Sequence, residues 1–103
     1  MMHRFPWQFP PDHPALAGHF PQHPIAPGVV LLDRVELFAA SLPVADGARW
    51  RVGRAKFLQT VGPGDLLDFM FEAAPGGRCE FRIERDARLI VQGSLIARPE
   101  PRP

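Results

Sequence analysis

Apolar residues follow two rhythms along this chain. Phe5, Trp7 and Phe9 stand at alternate positions, the period of a short strand with one apolar face. Leu67, Phe69 and Phe71 repeat it, as do Cys79, Phe81 and Ile83, whose neighbours Glu80, Arg82 and Glu84 fall on the other face. From Val29 to Ala40 the alternation gives way to a mostly aliphatic run whose only charges are Asp33, Arg34 and Glu36, with no helix breaker before Pro43. That pattern predicts a largely buried helix. Pro27 suits a first helical turn and Gly28 lets another group approach the backbone closely, so the helix is expected to begin at Gly28.

The stretch ARWRVGRAKFLQT reads as a long strand with a fault in it. Trp50 and Val52 are apolar at even positions and Ala55 and Phe57 at odd ones, and a β-bulge at Gly53 reconciles the two halves. VGPGD and PGG are turns, RLIVQGSLIA is the last strand, and residues 98–103 are expected to form a flexible tail. The order is therefore strand, buried helix, then four strands, mostly antiparallel because the turns are short. A curved antiparallel sheet of five or six strands wrapped around one central helix fits this α+β pattern.

Composition narrows the class. At 103 residues with 46% hydrophobic positions, residues 1–103 make one small domain, and a core this small gains from a partner chain. Of thirteen prolines, seven precede Gly28 and three lie in the last five residues, so they punctuate the ends and do not imply general disorder. A net charge of +1 is too small to argue for nucleic acid. Arg49, Arg51, Arg54 and Lys56 line the polar side of the long strand, either as a solvated face or as a docking surface for an acidic carrier protein. Single-stranded nucleic acid fits less well, because only one aromatic stands on each side of the fault. The one cysteine, Cys79, excludes an internal disulfide and reads as a small core residue, which makes the cytoplasm the expected compartment. No apolar run approaches the ~20 residues of a membrane span, and the N-terminus lacks a signal-peptide core.

The candidate chemistry lies in HFPQHPIAPGVVLLDRVE, His19 to Glu36. Pro21, Pro24 and Pro27 stiffen the loop and push Phe20, His23 and Ala26 toward extended geometry. Pro21 also forbids the helix that would make His19 and His23 a metal-binding pair, so no metal is expected. Asp33, Arg34 and Glu36 span roughly 160° of a helical wheel, which leaves open that they are only the exposed face of an amphipathic helix. His23 reads as a surface residue.

The run H-F-P-x-x-P-x-x-P-G-V, with an acid five residues after the glycine, resembles the signature of bacterial 3-hydroxyacyl-(acyl carrier protein) dehydratases, which have the hot-dog fold. AKFLQTVGPGDLL resembles the strand and turn that follow the helix in the same family. The similarity covers roughly Phe5 to Arg98. Asp at position 33 is closer to the branch acting in unsaturated fatty acid synthesis, and the chain is also similar to the shorter dehydratases of aryl polyene clusters. Three departures stand out: Gln22 replaces a glycine, Leu37 stands where better-known members carry a water-binding glutamine, and the N-terminal extension of longer members is missing.

The resemblance implies dehydration of a 3-hydroxyacyl thioester to the trans-2-enoyl thioester. The substrate would be carried on the phosphopantetheine of an acyl carrier protein, with no other cofactor. His19 would be the base, its other nitrogen held by the backbone carbonyl of Ile25, with Phe20 beside the substrate. The Gly28 amide would bind the thioester oxygen at the positive end of the helix dipole. Asp33 would donate a proton to the leaving hydroxyl, and burial between Leu32 and Val35 is expected to favour its neutral form. In the family the histidine and the acid come from opposite subunits, which implies a homodimer or a hetero-oligomer with a related hot-dog subunit. A hot-dog thioesterase and a non-catalytic acyl-binding or scaffold subunit are the competing readings.

Overall fold

Five strands and one helix follow the expected order in the computed structural model, which describes residues 2–14 and 25–100. They are β1 (Met2–Gln8), α1 (Gly28–Ala39), β2 (Ala48–Phe57), β3 (Leu66–Ala74), β4 (Arg78–Arg85) and β5 (Arg88–Pro99). All pairings are antiparallel and the sheet order is β1-β3-β4-β5-β2. The register shift between Val52 and Arg54 in β2 is the expected bulge. The sheet has five strands, the lower of the two expected numbers. β5 runs two residues past the expected end, pairing Arg98 with Arg49 and Pro99 with Ala48, so residues 98 and 99 belong to the sheet and not to a tail.

Register turns the alternating pattern into one continuous apolar face. Phe5, Phe69, Ile83 and Val91 align across β1, β3, β4 and β5, and Phe71 aligns with Phe81 and Gly93 one row further on. Phe69, Phe71, Phe81, Ile83, Val91 and Leu95 are essentially fully buried there, against Leu31, Val35 and Ala39 of α1. Burial of each large apolar side chain contributes about 1.5–3 kcal/mol, which makes this face the main source of stability.

Among the described residues α1 is covered on one side only. Val29 is 64% and Leu37 59% exposed, so the expectation of a largely buried helix is corrected for the single chain. One five-stranded sheet shields the sector around Val35 and leaves the opposite sector to solvent or to a second chain.

Gly93 shows how tightly the face is packed. The Phe81 ring lies across it, and an added Cβ would stand 2.7 Å from two ring atoms and would strike the Arg54 carbonyl of β2. Gly93→Ala is therefore expected to destabilise by about 1–3 kcal/mol or more, since both neighbours are held in the sheet. Urea unfolding should show a lower midpoint at unchanged slope.

The turn at residues 61–65 ties the sheet to the entry of α1. The Asp65 carboxylate accepts hydrogen bonds from the Gly62 amide and the Arg85 guanidinium, both at 2.8 Å. Phe9 donates to the Asp65 carbonyl and Gly64 to the Phe9 carbonyl, which anchors the segment after β1. Ala26, two residues before the helix, donates to the Val61 carbonyl at 2.7 Å.

Candidate active site

Asp33 sits on the outward line of α1. At 3.6 residues per turn it lies roughly 160–200° around the axis from Leu31 and Val35, which face the core. It is exposed, and among the described residues it makes no hydrogen bond or ion pair. The expected burial of Asp33 between Leu32 and Val35 is thus not provided by its own chain, because those neighbours turn toward the sheet.

The two charges beside it are engaged on opposite flanks. Arg34 stacks over Trp7 of β1, 4.5 Å from the ring centroid, and lies 5.5 Å from the Phe38 ring. Glu36 bonds Arg51 at 3.0 Å and the Val52 amide at 2.9 Å, both in β2. The reading of all three charges as one solvated face therefore fails for Arg34 and Glu36. Among the described residues, Asp33 is the charge of α1 that no such contact engages.

Asp33 and Arg34 line a depression of about 210 Å³ with Trp7, His13, Val30 and Leu37. Sequence reasoning missed His13, whose ring packs 5.2 Å from that of Phe9. Nothing in the local pattern marks it, since its neighbours are prolines and an aspartate.

Gly28 is the first residue of α1, as expected. Pro27 before it is extended and offers no side-chain cap, and the first turn holds no acidic residue. The Phe57 ring of β2 lies where a Cβ on Gly28 would stand, with ring atoms at 2.8–3.4 Å. The bare backbone thus allows β2 to close over the helix start. Ile25 is half-buried just before this point. His19, Phe20, Gln22 and His23 lie outside the described residues.

Cys79 is buried, and burial pushes its thiol above the usual range, with the charge of Glu80 adding and a backbone hydrogen bond from Glu72 opposing. It is the inert core residue its place in the alternating pattern suggests. Among the described residues no three histidine, cysteine or acidic side chains gather as a metal site would require.

One helix laid on an antiparallel sheet of order β1-β3-β4-β5-β2 is the hot-dog fold. The dehydratase heterocomplex ApeI:P from Xenorhabdus doucetiae superposes with a TM-score of 0.77 at 26% identity, covering 93% of this chain and 86% of that one. The R-hydratase PhaJ1 from Pseudomonas aeruginosa shares the fold at a TM-score of 0.65 and 17% identity, over 97% and 81% of the two chains. The ApeI-like family, described as ApeI dehydratase, matches residues 2–94, and the chain belongs to that family.

Two 3-hydroxyacyl-(acyl-carrier-protein) dehydratases named FabZ are among its relatives. That of Chlamydia pneumoniae is 31% identical over 97 residues, covering 82% of this chain and 63% of the relative. That of Cereibacter sphaeroides (strain ATCC 17025) is 36% identical over 98 residues, covering 86% and 62%. The chain spans less than two thirds of the length of these curated relatives.

Proposed function

We propose that this chain removes water from a 3-hydroxyacyl thioester carried on the phosphopantetheine of an acyl carrier protein, in fatty acid, polyene or related acyl chain synthesis. The observation that carries the reading is the Asp33 carboxylate, without a hydrogen bond or ion pair among the described residues and facing outward five residues after the Gly28 amide, in a chain of the ApeI-like dehydratase family. Five residues of helix put the two groups ~7.5 Å apart along the axis. That leaves room for a thioester carbonyl at one and a β-hydroxyl at the other.

In this reading His19 takes the α-proton and the electron pair moves to the thioester oxygen, held by the Gly28 amide. The pair then returns to form the Cα–Cβ double bond as the C–O bond at Cβ breaks, and Asp33 protonates the departing hydroxide to water. Carbon is neither oxidised nor reduced overall, so the chemistry calls for no redox cofactor. The exposed sector of α1 supports a site shared between two chains, in a homodimer or with a related hot-dog subunit, with His19 of one facing Asp33 of the other. The cytoplasm, where acyl carrier proteins are charged, is the proposed setting. Among the described residues no helix is long and apolar enough to cross a membrane.

Incubating the purified protein with a 3-hydroxyacyl carrier thioester tests the reading. The enoyl thioester is expected. Release of the free acid would make the chain a thioesterase, and unchanged substrate would make it an acyl-binding or scaffold subunit.

A further inference from the structure

The direction in which Asp33 faces depends on the rotation of α1 about its own axis. The apolar sector around Leu31, Val35 and Ala39 holds the helix against the sheet, but such contacts are non-directional. Polar and aromatic contacts on the two flanks supply the direction. On the β1 flank Arg34 lies over Trp7, and Phe38 stacks on Phe5 with centroids 4.8 Å apart. On the β2 flank Glu36 spends one carboxylate oxygen on the Arg51 guanidinium and the other on the Val52 amide.

The Val52 contact falls at the edge of the bulge, where the ladder between β2 and β5 changes register. An edge-strand amide there needs an acceptor, and Glu36 supplies it from the helix. The Glu36 side chain is 24% exposed, so the contact is partly sheltered from water. One polar side chain thus joins the bulge to the helix three residues after Asp33. Leu37, next in the chain, is apolar and exposed and offers Asp33 no hydrogen bond.

We propose that Glu36 is a positioning residue: clamped between Arg51 and the Val52 amide, it sets the rotation of α1 and hence the aim of Asp33 at the substrate. The proposal rests on the dehydratase reading. It predicts a loss in turnover and not in substrate binding, because the helix still packs but its acid is mis-aimed.

The test is steady-state kinetics on a 3-hydroxyacyl carrier thioester with wild type, Glu36→Ala, Glu36→Gln, Asp33→Asn and the Glu36→Ala/Asp33→Asn double variant, each checked for folding by circular dichroism. Glu36→Ala is expected to lower kcat ~10–100-fold at nearly unchanged KM, the scale of a displaced catalytic group. Glu36→Gln, which keeps an acceptor for the Val52 amide, should recover most of that loss. In the Asp33→Asn background the alanine substitution should add little further loss, because Glu36 acts through Asp33. If Glu36→Ala does not fold, the glutamine variant still decides, since lost turnover without refolding defects or a KM change would deny the acceptor role. An active wild type with unchanged kcat in Glu36→Ala, or with fully additive losses, would overturn the positioning role and leave the dehydratase reading standing. An inactive wild type overturns both.

Discussion

Replacing His19 with alanine is expected to reduce dehydration by about 10²–10⁴-fold, the usual contribution of a general base. The reasoning is chemical. The α-proton of a thioester is weakly acidic, and an imidazole near its ordinary titration range is the side chain best suited to take it at neutral pH. Stability should hardly change, because the buried face formed by Phe69, Phe71, Phe81, Leu31 and Val35 is supplied by the strands and α1. Rates measured on a 3-hydroxyacyl carrier thioester, with thermal unfolding of the same preparation, check both halves. A folded His19→Ala protein that still dehydrates at the wild-type rate would remove His19 from the mechanism.

Asp33→Asn is expected to be comparably damaging, since the amide keeps the shape of the acid but cannot deliver a proton to the leaving hydroxyl. Its effect on folding should be within about 0.5 kcal/mol, because Asp33 is exposed and makes no hydrogen bond or ion pair among the described residues. The same residue offers a test of the shared site. If His19 of one chain works with Asp33 of the other, mixing the two inactive variants under subunit-exchange conditions rebuilds one intact site per heterodimer. With random exchange at equal amounts, half the dimers are mixed and half their sites are intact, so about a quarter of wild-type activity should return. Subunits shown to exchange by mass spectrometry, with no activity regained, would place the two groups in one chain or in a different partner.

The chain's own pattern was informative where neighbours in sequence decide the outcome. Alternation at Phe69 and Phe71 and at Phe81 and Ile83 placed those side chains on the inner face, and all are buried. Pro27 and Gly28 marked the helix start, and the slip in apolar phase at Gly53 marked the bulge, because both depend on backbone rules that act over a few residues. The loop-and-helix motif pointed to the dehydratases, and membership of the ApeI-like family agrees.

Burial and partnership were less legible. The aliphatic run of α1 suggested a largely buried helix, yet coverage is set by how many strands reach it, and among the described residues one sheet reaches one side. Asp33, Arg34 and Glu36 looked alike as three charges on one sector. Only the fold separates them, by bringing Trp7 to one flank and Arg51 and Val52 to the other, the latter 15 and 16 residues beyond Glu36. By itself the sequence determined the elements, their facing and the type of chemistry on offer, since these follow from short-range periodicity and turn geometry. Tertiary structure alone decided which of the three charges remains available, because that depends on which distant strand edge lies beside each flank of the helix.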